Sequence, residues 1–203
     1  MPTTHVFLLL DESWSMAKRA ADVRSSFNAY VEELRADERA TAGKMYRLTV
    51  IKFGSTVRPL WVNKSLDQVP LLTEQNYVPL DSTALYDAIG YALDAARQSC
   101  GSENMPYGVD PVILVITTDG LENASKNWSR TAIADQLARR KAAGNWTIVY
   151  MGADQDAWEQ AQPLGLDQGN VLSYDSAQTT TAYHRLARAT TNHRSATTKN
   201  FFE

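Results

Sequence analysis

The residues best suited to chemistry follow apolar runs or precede a helical pattern. Asp11, Ser13 and Ser15 come directly after "HVFLLL", and Asp119 comes directly after "PVILVITT". Thr83, in "DSTALYDAIG", stands immediately before a helical pattern. Together they offer carboxylate and hydroxyl oxygens, which are the ligands that a hard divalent cation such as Mg²⁺ requires. A simpler interpretation of the two serines is that they cap the helix that follows them.

The spacing Asp-x-Ser-x-Ser occurs easily by chance, so helix capping is the better interpretation of that motif alone. A metal site requires Thr83 and Asp119 to reach the same place. Three continuous apolar runs, "HVFLLL", "PVILVITT" and "WTIVYM", predict strands that are buried on both faces, with helical patterns between them. In a parallel sheet of this kind, ligand sites form at the carboxyl ends of the strands. Asp11 and Asp119 both fall at that edge.

The complete order of patterns predicts a Rossmann-like α/β fold, with a doubly wound, mostly parallel sheet and helices on both faces. The run "RLTVIKFG" predicts a further strand, and "TVRPLWV" an antiparallel edge strand, because Pro59 has no N–H to donate. A short strand is expected near Asn170 to Tyr174. Apolar residues at spacings of three and four predict the helices. These stripes are Met16, Ala20, Val23, Phe27, Val31 and Leu34; Leu85, Ile89, Ala92 and Ala96; Ile133 and Leu137; Ala157, Trp158 and Ala161; and Tyr183, Leu186 and Ala189.

Length and composition predict one domain. The chain has 203 residues, of which 44% are hydrophobic and 21% charged, enough for one sizeable core. We expect the domain to span residues 1–195, and the polar end, residues 196–203, to be a loosely ordered tail. The net charge of −3 with scattered basic residues predicts no nucleic-acid binding. No apolar stretch approaches the roughly 20 residues that cross a bilayer, so we expect no membrane span.

Other sequence features bear on compartment and on enzyme classes. One cysteine, Cys100, and no basic leader predict a cytoplasmic protein. The sequence lacks Gly-x-Ser-x-Gly, a phosphate-binding glycine loop and His-Glu-x-x-His, and its three histidines are dispersed. Phosphate-transferring hydrolases of the haloacid dehalogenase type also begin with an aspartate after the first strand. Their general acid comes two residues later, where this chain has Ser13, which cannot act as an acid near neutral pH.

Taken together, the five positions resemble the metal-ion-dependent adhesion site (MIDAS) of von Willebrand factor type A (VWA) domains. In that family an Asp-x-Ser-x-Ser loop, a threonine from a later loop and an aspartate after the fourth strand hold the ion. The resemblance extends from about His5 to Met151 in element order, and includes "TALYDAI" and "TTDG". It implies that Mg²⁺ or Mn²⁺ is held by Asp11, Ser13, Ser15, Thr83 and Asp119.

The resemblance also implies a function. The serines and the threonine would touch the ion directly or through water, and an Asp or Glu of a protein partner would complete its coordination. The chain is then a metal-dependent binding module and not an enzyme. Two alternatives stay open: a metal-dependent phosphohydrolase, and a VWA fold whose ion is purely structural. The sequence makes no prediction of the oligomeric state.

Two departures from the family pattern flank these residues. Trp14 stands where the family usually has glycine, and Asp81 and Ser82 stand where small glycines precede the threonine. We expect Asp81 to cap the following helix and not to bind the ion. We expect Trp14 to pack over its loop, in preference to standing exposed as an anchor for a partner. Partner specificity is expected from Trp14 and from the loops at residues 74–80 and 123–128.

Overall fold

The computed structural model describes residues 3–100, 110–193 and 198–202, and within them six strands form one sheet. The strands are β1 (Thr3–Asp11), β2 (Met45–Phe53), β3 (Val57–Ser65), β4 (Val112–Thr118), β5 (Trp146–Ala153) and β6 (Val171–Tyr174). The helices are α1 (Ala20–Ala40), α2 (Leu85–Cys100), α3 (Arg130–Ala142), α4 (Ala157–Ala161) and α5 (Thr179–Asn192). A 3₁₀ helix, Trp14–Arg19, leads into α1.

The sheet is mostly parallel, with β1 near its centre. Its strand order is β3-β2-β1-β4-β5-β6, and β3 alone among these strands is antiparallel to its neighbour. The α/β fold predicted from the sequence is therefore confirmed, including its antiparallel edge strand. Because β1 and β4 pair in parallel, with Leu10 opposite Thr117, both strands end at the same edge. That edge receives Asp11 and Asp119.

The edge strand β3 is irregular. Its register with β2 shifts twice, between Leu48 and Val50 and between Val50 and Ile51, and Asn63 has a positive φ of 49°. Pro59 lies opposite Ile51, and both it and Arg58 are exposed. Proline is confined to positions of this kind because it cannot donate to a ladder. A bulged strand of this composition is typical of a sheet edge.

Helices cover both faces of the sheet, as the helical stripes predict. Successive β1 residues point to opposite faces, so that Leu8 joins the core under α1 and α5, while Phe7 joins the core under α2, α3 and α4. Burial of each such large side chain stabilises the fold by about 1.5–3 kcal/mol. The stripe residues are buried except for Trp158 and Ala189, which are partly exposed. No helix in the described ranges is both long and apolar enough to cross a membrane.

The C-terminal residues contain a core position that the sequence analysis did not find. Phe201 is 5% exposed and packs into the core beneath α1 and α5. Asn170 binds this segment twice: it accepts the Phe201 N–H at 2.9 Å and donates to the Thr198 carbonyl at 2.7 Å. Residues 194–197 and 203 lie outside the described part of the chain. The domain boundary at residue 195 therefore stays a prediction.

Candidate metal centre

Three loops meet at the carboxyl edge of the sheet. One follows β1 and carries Ser13 and Ser15, and one follows β4 and carries Asp119. The third precedes α2 and contacts the first directly: the Trp14 N–H donates to the Asp81 carbonyl at 2.7 Å, and Ser13 and Asp81 form an isolated parallel bridge. These backbone contacts bring the loop with Thr83 beside the serines.

Three hydroxyl groups converge in front of Gly120. A Cβ atom built on Gly120 would lie 3.0 Å from Thr83 Oγ1, 3.7 Å from Ser15 Oγ and 3.8 Å from Ser13 Oγ. The two serine oxygens are 2.9 Å apart, and Ser15 Oγ donates to Asp119 Oδ1 at 2.5 Å. Because glycine has no side chain, these oxygens surround a small free space. Such a space, bordered by hydroxyls and a carboxylate, fits a small oxygen-binding cation.

Asp11 orients the serine loop from within the fold. It is completely buried, and its two carboxylate oxygens accept the Ser13 N–H at 2.7 Å and the Thr118 hydroxyl at 2.5 Å. Burial raises the pKa of Asp11 to about 6, although the hydrogen bonds from Thr118 and Ser13 act in the opposite direction. The buried carboxylate therefore holds the loop in shape, and its negative charge is poorly compensated by its surroundings.

Asp119 has a second partner that sequence reasoning missed. Arg19 Nη1 lies 3.3 Å from Asp119 Oδ2, and Arg19 Nη2 lies 2.6 Å from Asp154 Oδ2. Burial raises the pKa of Asp119, while its hydrogen bond from Ser15 and the Arg19 charge lower it. The Arg19 side chain is only 9% exposed. With Trp14 and both aspartates it lines a cleft of about 800 Å³ beside the serines.

The loop after β4 and the start of α2 cap each other. Glu122 accepts the Tyr86 N–H and Ser125 Oγ accepts the Asp87 N–H, both at 3.0 Å. In return the Asp87 carboxylate accepts the backbone N–H groups of residues 126–128, at 2.9 to 3.0 Å. First-turn N–H groups have no partner within their own helix, so these bonds satisfy groups that the helix leaves free.

Thr83 is held by the same loop. Its N–H donates to Asn123 Oδ1 at 2.9 Å, and its carbonyl accepts the N–H groups of Asn123 and Ala124 at 3.0 and 3.2 Å. Since Asp119 lies only four residues before Asn123, the position of Thr83 is tied to that of Asp119. The polar groups at 122–125 thus stabilise the fold, and the expected contribution of residues 123–128 to partner specificity stays a prediction.

Two expectations about the neighbouring residues are wrong. Trp14 is 68% exposed and does not pack over its loop. Asp81 does not cap α2: its carboxylate accepts hydrogen bonds from the Ser55 hydroxyl and from the Ser82 N–H and hydroxyl, four residues before the helix begins at Leu85. The Ser55 hydrogen bond lowers the pKa of Asp81. Asp81 therefore stabilises the turn between β2 and β3 and the loop before Thr83.

The centre is poor in carboxylates. Only Asp11 and Asp119 among its five predicted residues carry negative charge. Across the described ranges, no group of three or more His, Cys, Asp or Glu side chains is arranged to hold a metal ion. The oxygens gathered at this centre are therefore mostly neutral hydroxyl oxygens.

Comparison with known proteins identifies the architecture. The chain is similar to proximal thread matrix protein 1 from the mussel byssus with a zinc-occupied MIDAS motif, with a TM-score of 0.65 at 15% identity. That match covers 92% of this chain and 47% of the mussel chain, so this chain spans about half the length of that protein.

Two further structures match over nearly their whole length. One is the vWF domain of the type V pili tip protein Mfa5 from Porphyromonas gingivalis, with a TM-score of 0.63 at 13% identity, covering 93% of this chain and 95% of that one. The other is the SpRpn10 VWA domain, with a TM-score of 0.56 at 12% identity, covering 92% and 95%. No protein-family model and no curated protein matches the sequence. At these identities the likeness concerns architecture, and this chain has the fold of a von Willebrand factor type A domain.

Proposed function

We propose that this domain binds a divalent cation, Mg²⁺ or Mn²⁺, and through it an Asp or Glu side chain of a protein partner. The ligand set is the one predicted from the sequence: Asp11, Ser13, Ser15, Thr83 and Asp119. The observation that carries the proposal is the convergence of three hydroxyls on the free space in front of Gly120, beside Asp119. The zinc-occupied motif of the mussel protein supports a divalent ion at such a site.

The small number of negative charges at the centre supports the binding of a partner's Asp or Glu side chain to the ion. Asp11 and Asp119 together carry two negative charges, and Arg19 returns one positive charge to Asp119. Arg19 is itself paired with Asp154 at 2.6 Å. A doubly charged ion in this setting keeps more of its positive field than an ion held by several carboxylates, because the hydroxyl ligands are neutral. A carboxylate from outside is then attracted, and its contact with the ion is strengthened where water is excluded.

A phosphohydrolase fits the same residues less well. Such an enzyme needs a free carboxylate at the end of β1 and an acid two residues later. The second position is Ser13, whose hydroxyl lies 2.9 Å from Ser15 Oγ and cannot act as a general acid near neutral pH. We therefore propose a binding module without catalytic activity. A cytoplasmic location is part of the proposal and rests on the single cysteine.

Thermal unfolding in MgCl₂, MnCl₂ or EDTA tests ion binding. At an ion concentration of about 100 times the dissociation constant, we expect stabilisation by roughly 2.7 kcal/mol. Asp119→Ala should lose this gain, whereas Asp135→Ala, which removes an exposed aspartate on α3, should keep it. An equal response of the wild type in ion and in EDTA would contradict the proposal.

A second experiment separates the alternatives. Acetate, at constant ionic strength, serves as the simplest outside carboxylate. We expect acetate to stabilise the Mg²⁺-loaded protein further and to leave the EDTA-treated protein unchanged. A purely structural ion would give the Mg²⁺ response without the acetate response. Mg²⁺-dependent turnover of p-nitrophenyl phosphate that Asp11→Asn abolishes would instead favour the phosphohydrolase.

A further inference from the structure

Exposed apolar side chains are concentrated around the candidate metal centre. Four large apolar side chains in the described ranges are more than half exposed: Trp14 (68%), Leu80 (68%), Leu71 (59%) and Leu121 (58%). Three of them lie on the three loops that meet at the centre, next to its predicted ligands in sequence. Trp14 separates the two serines, Leu80 comes three residues before the threonine, and Leu121 follows Gly120. We call Trp14, Leu80 and Leu121 the apolar rim.

The backbone beneath Leu80 is fixed. Its N–H donates to the Glu12 carbonyl at 3.0 Å, and the Glu12 carboxylate accepts the Val78 N–H at 2.9 Å. Glu12 is 2% exposed and forms a 2.8 Å ion pair with Lys52, which also donates to the Asn76 carbonyl. A buried, paired charge is costly to disrupt. The exposure of Leu80 is therefore a property of an anchored loop.

Backbone hydrogen bonds also fix the loops that carry the other two rim residues. The Trp14 N–H is bound by the Asp81 carbonyl, one residue after Leu80. Gly120, next to Leu121, donates its N–H to Thr118 Oγ1 at 3.1 Å. A surface on a preformed backbone binds without the cost of ordering its loops. Apolar surface on such loops is characteristic of interaction sites.

We propose that the apolar rim receives apolar side chains on both sides of the partner's acidic residue. This inference rests on the proposed function, because it specifies the partner of the same centre. The carboxylates of Asp11 and Asp119 balance a bound dication, and Asp154 balances the guanidinium of Arg19, so the loaded centre has no excess charge that would call for several carboxylates. The centre therefore suits a single carboxylate. Apolar neighbours of that carboxylate would cover the rim and keep water away from the charged contact, as in the centre of other interfaces.

The occupant is thus a protruding protein segment in which one Asp or Glu stands between large apolar residues. Selection from a phage-displayed library of 12-residue peptides with a fixed central glutamate tests this preference in MgCl₂. We expect the peptides that EDTA releases to be enriched in Leu, Ile, Phe, Trp or Met directly beside the glutamate. Peptides with polar neighbours at the library frequency would overturn the inference.

Substitutions in the rim provide the matched test. We expect the affinity for a selected peptide to fall at least fivefold in each of three variants, Trp14→Ser, Leu80→Ser and Leu121→Ser. Leu71→Ser removes an equally exposed leucine that lies beside α1 and should leave the affinity within twofold. All four variants should keep the Mg²⁺-induced thermal shift, because none of the four residues is itself a predicted ligand. Affinities unchanged by the rim substitutions would overturn the inference.

The remaining outcomes separate this inference from the proposed function. If the wild type binds Mg²⁺ and acetate but the rim substitutions do not weaken peptide binding, the proposed function stands and the inference about the rim is overturned. If the protein selects no Mg²⁺-dependent peptide and acetate does not stabilise it in MgCl₂, both the proposed function and the inference about the rim are overturned. A Mg²⁺-dependent dimer in sedimentation, abolished by Trp14→Ser, would identify a second copy of this chain as the occupant and so overturn the inference.

Discussion

Arg19 Nη1 lies 3.3 Å from Asp119 Oδ2, on the carboxylate whose other oxygen accepts the Ser15 hydroxyl. The protein therefore supplies a cation of its own to an aspartate that the proposed dication needs. The Arg19 side chain is 9% exposed, so solvent screens this charge poorly. A metal ion at the centre gains less from Asp119 than it would without Arg19, and it retains more positive charge for an outside ligand.

Removal of this guanidinium should change two affinities in opposite directions. In Arg19→Gln, we expect Mg²⁺ to bind about tenfold more tightly, about 1.4 kcal/mol, because repulsion is relieved and Asp119 is released. Acetate should bind the Mg²⁺-loaded variant more weakly than the wild type. Isothermal titration with Mg²⁺ and then acetate measures both. Lys18→Gln, which removes an exposed charge from the same 3₁₀ helix, should shift neither by more than twofold. Changes of the same sign would contradict this account.

Gly120→Ala should prevent ion binding without unfolding the protein. The new Cβ atom would lie 3.0 Å from Thr83 Oγ1 and within 3.8 Å of the two serine hydroxyls, in the space proposed for the ion. We expect the Mg²⁺-induced stabilisation to disappear while the EDTA form loses no more than about 1–2 kcal/mol. Gly144→Ala is the control for a comparable loss of stability: it acts through a positive φ of 84° in open space and should leave the Mg²⁺ response intact. A normal Mg²⁺ response of Gly120→Ala would place the ion elsewhere.

The contribution of Asp11 to the pH dependence of stability can be isolated with Asp11→Asn. Its pKa is about 6 in the folded protein and 3.8 ordinarily, so between these values the folded state binds a proton more tightly than the unfolded state. In EDTA, the wild type should therefore gain stability from this group as the pH falls from 6 to 4 and lose it as the pH rises. Asp11→Asn should be more stable than the wild type at pH 7.5 by roughly 1–3 kcal/mol, with the difference vanishing near pH 4.

Urea unfolding of both proteins between pH 4 and 8 checks this expectation. Their difference removes the contributions of His5 and His193, whose pKa values are lowered by burial. In the wild type, the apparent Mg²⁺ affinity should also decrease below pH 6, because protons compete for the carboxylate. A stability difference that is constant across the pH range would show that burial does not raise the pKa of Asp11.

Phe201 allows a test of the C-terminal boundary. Phe201→Ala should lower the free energy of unfolding by about 3 kcal/mol, since the side chain is 5% exposed within the core beneath α1 and α5. Phe202→Ala, at a partly exposed neighbour whose ring lies 5.6 Å from the Arg185 guanidinium, should cost about 1 kcal/mol or less. Chemical denaturation in EDTA compares the two. Equal, small losses in free energy of unfolding would support the loosely ordered tail that the sequence predicts.

The sheet and the edge that carries the centre were predictable because the sequence of each strand indicates which of its faces are buried. Continuous apolarity in β1, β4 and β5 indicates burial on both faces, and parallel pairing then places Asp11 and Asp119 together. The position of Thr83 at this edge is harder to predict in this way, since it depends on hydrogen bonds to Asn123, forty residues away. Its place immediately before a helical pattern made Thr83 a candidate, and the family resemblance then assigned it to the site.

Long-range pairing explains what the sequence analysis missed. Arg19 stands between the buried residues Met16 and Ala20, and its partners lie 100 and 135 residues later in the chain. An isolated arginine beside an apolar stripe was the available signal, but it does not name Asp119 or Asp154. Trp14 was expected to pack because large aromatic side chains usually do. Trp14 is instead exposed, and its N–H binds the Asp81 carbonyl, a long-range contact that no short-range pattern reveals.

The irregular strand β3 also limits how this molecule can polymerise. Its proline, its two register shifts and its exposed Arg58 disfavour addition of a foreign strand, and the opposite border of the sheet, β6, is only four residues long. Growth by strand-to-strand joining is therefore discouraged along both borders. Contacts between copies of this domain would therefore be made by side chains and not by a shared sheet.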